Sequence, residues 1–149
     1  DAATPTTQNS LIDCLHTLFA KLHALNSNTE PFDYASQIIR LSGRTSLSQK
    51  LNKALELIQR EGRQGLCHPD PIPANIVFSE HGPILLDWEY AAQGYPIVDI
   101  AALIHEWNLP EHKVADKFEV DKELLAAALV VYREMCELWR ASATRLSLI

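Results

Sequence analysis

Asp70, Asn75 and Asp87 are three oxygen-bearing side chains placed where folding alone would not select them in this 149-residue sequence. Asp70 and Asn75 lie five apart in the loop His68-Pro-Asp-Pro-Ile-Pro-Ala-Asn75, in which Pro69, Pro71 and Pro73 rule out a regular helix. Short apolar runs flank the loop, at 65–68 before it and 76–78 after it. A loop held between rigid strands is the usual mount for catalytic groups. A further apolar run, 84–86, returns through Ser79-Glu-His-Gly-Pro83, a hairpin pattern. Strands rise about 3.3 Å per residue, so the outward and return runs nearly cancel, and Asp87 is expected close to Asn75. A carboxylate with a carboxamide is a hard-oxygen set suited to Mg²⁺. A second carboxylate nearby can accept the proton of an attacking hydroxyl. Phosphoryl transfer asks little more of a protein than metal on the phosphates and a positioned base.

The elements around this loop read as helices. Ser10 is expected to cap a first helix, after a loose lead-in at 1–9, with Leu11, Leu15, Leu18, Leu22 and Leu25 on one face. The polar stretch 26–31 ends it, and 32–41 reads as helical in part. Ser46 opens another helix that buries Leu47, Leu51, Ala54, Leu55 and Ile58, with Gly62 as its stop. After Pro96, Ile97, Ile100, Ala101 and Ile104 share a face, with Trp107 one turn on as a core residue. Asp121 caps a long final helix running to about residue 145. The expected fold is a single, mostly α-helical α+β domain over 10–149, with a small β-hairpin beside the catalytic loop.

Composition narrows the partners. A net charge of −6, with no run of Lys and Arg longer than two, argues against nucleic acid. The longest nearly uncharged apolar run, 124–132, falls short of the ~20 residues of a membrane span. No signal peptide is visible, and Cys14, Cys67 and Cys136 are odd in number and widely separated, which points to the cytoplasm. Cys67, His68 and His81 lack zinc-site pair spacing. His16 and His23 read as packed or solvated.

The order His-x-Asp, Asn five residues on, then an Asp after a hairpin matches the protein-kinase layout. His68-x-Asp70-x-x-x-x-Asn75, Ile84-Leu-Leu-Asp-Trp-Glu-Tyr90 and Asp99-Ile-Ala101 together resemble the choline kinase/aminoglycoside phosphotransferase family over about forty residues. The run from Asp87 to Asp99, and Leu22-His-Ala-Leu25 upstream, are most similar to its choline, ethanolamine and thiamine kinase branch. The resemblance implies the C-terminal lobe of a protein-kinase-like fold, ATP as phosphoryl donor, and a small cationic alcohol as acceptor. It implies Asp70 as the base, Asn75 and Asp87 as Mg²⁺ ligands, His68 as a brace of the catalytic loop, and Asp99 as structural, bonding to backbone near that loop. Glu89, Tyr95 and Trp139 are implied to face the acceptor's ammonium, where aromatic faces offer about 0.5–2 kcal/mol per contact.

The sequence also departs from wider patterns. Pro69 stands where protein kinases carry Arg, and Glu89 where they carry Gly. No Gly-rich phosphate loop and no Val-Ala-x-Lys strand occurs in these residues. The family keeps both in an N-terminal lobe, so the expectation is a C-lobe fragment, inactive alone, with an exposed docking face able to self-associate. An aminoglycoside or amino-sugar kinase is the alternative within the class. A non-catalytic module that binds a cation or a partner protein is the alternative outside it.

Overall fold

The structure, a computed structural model, describes residues 4–25 and 28–146. Residues 1–3 of the expected lead-in, and residues 26 and 27 of the stretch ending the first helix, lie outside the described residues. Among the described residues six helices carry the fold: α1 (Gln8–His23), α2 (Tyr34–Ser42), α3 (Gln49–Glu61), α4 (Pro96–Glu106), α5 (Glu111–Phe118) and α6 (Lys122–Leu146). Four short strands, β1 (Gly65–Cys67), β2 (Ile76–Ser79), β3 (Gly82–Leu85) and β4 (Ala92–Gly94), form two antiparallel pairs. The mostly helical α+β architecture is the one expected.

Helix starts slide where two hydroxyls compete for the cap. The first helix begins before Ser10, because Thr7 is the cap: its hydroxyl takes the Ser10 amide at 3.1 Å, and the Ser10 hydroxyl takes the Thr7 amide at 3.1 Å. This reciprocal capping box makes Ser10 its third position and draws residues 8 and 9 out of the expected lead-in. The buried face is accordingly Ile12, Leu15, Phe19 and Leu22, and Leu25 is exposed. Likewise Ser48, not Ser46, caps α3, accepting the Leu51 amide at 3.3 Å. Between Pro110 and Asp121 the chain forms α5, which the sequence pattern did not suggest.

The core sits around α4, whose residues 97–104 are buried without interruption. A helix apolar all round is a central helix, and α6 packs along it while also covering α3 and α2. In front of this helical block lies the β2–β3 hairpin, with Ile76 paired to Leu85 and Val77 to Ile84. The other pair, β1 with β4, sets Gly65 against Gly94 and closes the base of the loop that follows β1. Among the described residues no helix is long and apolar enough to cross a membrane.

Gly62 ends α3 in extended backbone (φ −74°, ψ 136°), so its role as a stop is steric rather than one of left-handed geometry. A Cβ there would clash with the Ile58 carbonyl oxygen and lie 3.0 Å from the Tyr95 ring. Backbone cannot yield as a flexible side chain can. Gly62→Ala is therefore expected to destabilise the protein by about 1–3 kcal/mol, the usual cost of overpacking. Urea unfolding checks this, and an unchanged midpoint would contradict it.

Candidate active site

The catalytic loop runs from β1 to β2 and is held from three sides. At its start, His68 is 1% exposed, and its backbone N–H donates to Asp99 Oδ2 at 2.8 Å. Its ring Nε2 lies between the carbonyl oxygens of Leu86, at 2.9 Å, and Asp87, at 2.7 Å. With two acceptors facing it, that nitrogen carries the hydrogen. The contacts of His68 are those of a brace between loop and hairpin. Asp99, fully buried on α4, bonds to loop backbone as the resemblance implies. Midway, Trp107 donates its indole N–H to the Pro71 carbonyl at 2.8 Å, so this half-buried side chain props the loop as well as packing. At the end, a 3-10 turn over Pro73–Asn75 leads into β2.

Asp70 and Asn75 meet directly. The Asn75 amide donates to the Asp70 carbonyl oxygen and to Asp70 Oδ2, each at 3.0 Å. Both of its hydrogens are thereby engaged, which leaves the side-chain oxygen as the atom of Asn75 available to a cation. The hairpin delivers Asp87 to the same end, since the Leu86 amide donates to the Asn75 carbonyl at 2.8 Å. Asp87 has φ +58°, a left-handed conformation uncommon outside glycine and better tolerated by Asp. This turn follows the strand and lets the Asp87 carbonyl reach His68 while the exposed carboxylate stays open to solvent. A buried amide oxygen and an open carboxylate are hard donors of the kind Mg²⁺ takes, with room for water and phosphate ligands. The residues fit such an ion.

Beside Asp70 a cleft of about 300 Å³ opens between the loop and α6. Its walls include Asp70, Glu106 and four aromatic side chains, Phe32, Tyr90, Tyr132 and Trp139. Tyr90 and Trp139 meet edge to face at 6.1 Å. Glu106 Oε1 accepts from the Tyr132 hydroxyl at 3.0 Å and the Cys136 thiol at 3.7 Å. Burial, helped by Glu106, pushes the Tyr132 phenol well up, and burial chiefly raises the Cys136 thiol to about 11. Both groups remain protonated donors to Glu106.

The acceptor-facing expectations divide. Trp139, 44% exposed, stands on the cleft rim. Glu89 is exposed and does not line the cleft, but it interacts with the hydroxyl of Tyr90, which does, and so raises that phenol. Tyr95 is not brought to this cleft. Its ring lies beside Tyr34, 6.3 Å between centroids, and lines a separate cavity on the far side of Phe32. The β1–β4 pairing directs it there, by carrying Gly94 back against Gly65 just before α4 begins. Phe32, Glu106 and Tyr132 carry no local motif of their own, and Tyr90 lies within the motif of Asp87 without having been singled out. His81, on the hairpin turn, is exposed, whereas Cys67 and His68 are buried.

Comparison with known proteins gives the family and the fold. The model of the phosphotransferase enzyme family APH matches residues 1–138, and the chain belongs to that family. It is 32% identical over 92 residues to the protein LicA of Haemophilus influenzae, a match covering 61% of this chain and 32% of that protein. Among solved structures it resembles choline kinase LicA from Streptococcus pneumoniae, with 20% identity and a TM-score of 0.69. That likeness covers 91% of this chain and 56% of the other. A choline/ethanolamine kinase family protein from Mesorhizobium loti matches at 17% identity and a TM-score of 0.67, over 93% of this chain and 56% of that one. The chain thus spans about a third of the curated relative and just over half of the solved structures. The fold is that of the C-terminal lobe of these kinases.

Burial holds the Asp70 carboxyl above its ordinary value, with Glu106 and Asp87 adding to the rise and the Asn75 hydrogen bond opposing it. Folding therefore disfavours the ionised form relative to the unfolded chain. For a raised acid, that penalty is absent below the ordinary Asp range of about 4 and grows as pH climbs through the raised value. Asp70→Asn should melt higher than wild type at neutral pH, and the gain should shrink toward pH ~4. Melting curves across that range are the check. An equal gain at both ends, or none at pH 7, would contradict the assigned environment.

Proposed function

We propose that this chain is the catalytic-loop lobe of an ATP- and Mg²⁺-dependent kinase acting on the hydroxyl of a small cationic metabolite. Choline is the first choice of acceptor, with ethanolamine or thiamine next. The observation that carries this reading is the cleft beside Asp70, which combines four aromatic rings with the carboxylate of Glu106. Ring faces attract an ammonium group, more strongly in a desolvated site. A cleft of about 300 Å³ is at the small end for ligand sites, which suits choline and is cramped for an aminoglycoside.

In this reading the acceptor's cation rests among Tyr90, Tyr132 and Trp139, balanced by Glu106, and its hydroxyl points at Asp70. Asp70 takes the hydroxyl proton as the oxygen bonds to the γ-phosphorus of ATP and the bond to the β,γ-bridging oxygen breaks. Asn75, fixed by its two bonds to Asp70, and Asp87 would hold Mg²⁺, whose charge offsets that of the phosphates. His68 keeps loop and hairpin in register. Glu89 would tune the cleft through Tyr90 rather than touch the acceptor.

The phosphate loop and the paired lysine strand would come from an N-terminal lobe not contained in these 149 residues, leaving the isolated chain inactive. The outer face of the hairpin, with Val77, Ile84, Leu86 and Trp88 exposed, would lie beneath that lobe and could self-associate without it.

Asp70→Asn keeps the shape of the loop and removes the proton acceptor. Phosphoryl transfer should fall by about 10²–10⁴-fold, while choline still quenches Trp139 fluorescence with nearly wild-type affinity. Glu106→Gln should show the reverse split, with weaker choline binding and a smaller loss in kcat. Normal turnover by Asp70→Asn would remove Asp70 as the base, and unchanged choline affinity in Glu106→Gln would remove the cation from this cleft.

A further inference from the structure

We propose that His105, Glu106 and Cys136 form a site for a thiophilic divalent cation of the Zn²⁺ type, and that the bound ion closes the acceptor cleft. His105 and Glu106 are the last two residues of α4, and Cys136 meets them from α6. Glu106 Oε1 lies 3.8 Å from His105 Nε2 and 3.7 Å from the Cys136 sulfur. All three donor atoms lie within 4.8 Å of one another. A tetrahedral Zn²⁺, with bonds of about 2.0 Å to N and O and about 2.3 Å to S, holds its ligand atoms about 3.3–3.6 Å apart. Both distances to Glu106 are thus within about half an ångström of what the ion needs. One sulfur, one imidazole nitrogen and one carboxylate oxygen form a borderline-soft set. Such a set selects Zn²⁺ over the Mg²⁺ that suits Asn75 and Asp87.

The ligands are already oriented. The Tyr132 hydroxyl donates to Glu106 Oε1 at 3.0 Å, and the His105 ring meets the Tyr132 ring edge to face at 5.7 Å. Contacts of this kind fix a ligand's direction and strengthen metal binding. All three ligands are half-buried and come from two packed helices, so the ion would staple α4 to α6. An Arg140 guanidinium nitrogen stands 3.5 Å from His105 Nε2 at the edge of the site. That side chain is exposed and can swing into solvent as the ion enters. Cys136 binds as the thiolate, its proton passing to solvent as the bond from sulfur to metal forms. Three protein ligands leave a fourth position for water. Glu106 and Cys136 both line the cleft beside Asp70, so the ion lies in its wall. There it takes up the Glu106 charge and repels a second cation. Zn²⁺ and a cationic acceptor therefore exclude each other.

The exclusion rests on the kinase reading above; the metal site does not. Zn²⁺ and Co²⁺ are titrated separately into the protein encoded by the complete reading frame, without nucleotide or thiol reductant. Zn²⁺ should bind with micromolar affinity or tighter. Co²⁺ should give the intense visible spectrum of four-coordination, with a sulfur-to-cobalt charge-transfer band. Choline affinity, read from Trp139 fluorescence, should weaken competitively as Zn²⁺ is added. Cys136→Ser removes the sulfur, and His105→Phe keeps a ring beside Tyr132 while removing the nitrogen. Each should weaken Zn²⁺ binding by at least about 100-fold, since even outer-shell partners are worth about 10–100-fold. His105→Phe should bind choline as the wild type does and no longer lose it to Zn²⁺. A sulfur band that survives Cys136→Ser would put the ion at another cysteine and overturn the proposal, as would wild-type Zn²⁺ affinity in His105→Phe. Zn²⁺ held at this site with choline affinity unchanged would overturn the closure of the cleft. If the protein binds no choline at all, the kinase reading fails, while the cobalt spectra still decide the site.

Discussion

The imidazole of His68 is almost wholly buried, with Nε2 between the carbonyls of Leu86 and Asp87 and its own amide bonded to Asp99. The loop that bears Asp70 and the hairpin end that bears Asp87 are both referred to this side chain. It fixes the first residue of the catalytic loop to α4 and the last residues of the hairpin to the loop. Asp70 and Asp87, which lie on different segments, therefore keep a constant relation. A buried hydrogen bond of this kind is costly to leave unmade, about 1–3 kcal/mol for an orphaned partner. The Asp87 carbonyl reaches this nitrogen from a left-handed backbone at Asp87.

Around that joint, the strands and helices divide the work. The β2–β3 register places Asp87 beside Asn75 with a precision that a loop alone would not supply. The helices supply the cleft. Glu106 ends α4, Tyr132, Cys136 and Trp139 line one side of α6, and Phe32 comes from the segment ahead of α2. Because α4 is buried on all faces, α6 cannot shift without disturbing the core, so the cleft inherits the rigidity of the helical block. The Glu106 carboxylate is held in orientation by the hydroxyl of Tyr132 and the thiol of Cys136.

What could be read from the sequence was what depends on local spacing. Prolines at 69, 71 and 73 forced a loop, and apolar runs either side of a Gly-Pro turn forced a hairpin, so Asp70 bonds Asn75 and the strand that leads to Asp87 returns beside Asn75. Helix faces were also legible, but starts slipped where Thr7 or Ser48 could cap as well as the hydroxyl chosen. α5 escaped because its only buried residues, Val114 and Ala115, are adjacent and show no period. The cleft was hidden for a different reason. Tyr132 and Met135 sit at helical spacing among core residues, which signals burial and not a ligand. Tyr95 was placed by likeness, and strand pairing carried it behind Phe32. His23 had no visible partner, since Asp99 lies 76 residues away and only tertiary packing joins them.

The central claim is that this loop transfers phosphate to a cationic alcohol. Its most direct test offers ATP with choline, ethanolamine, thiamine or an aminoglycoside to the protein encoded by the complete reading frame, with the 149-residue chain alongside. The expected result is phosphorylation of one of the three small cationic alcohols by the complete protein and none by the short chain. Turnover of the aminoglycoside alone, or of none of the four, would contradict the account.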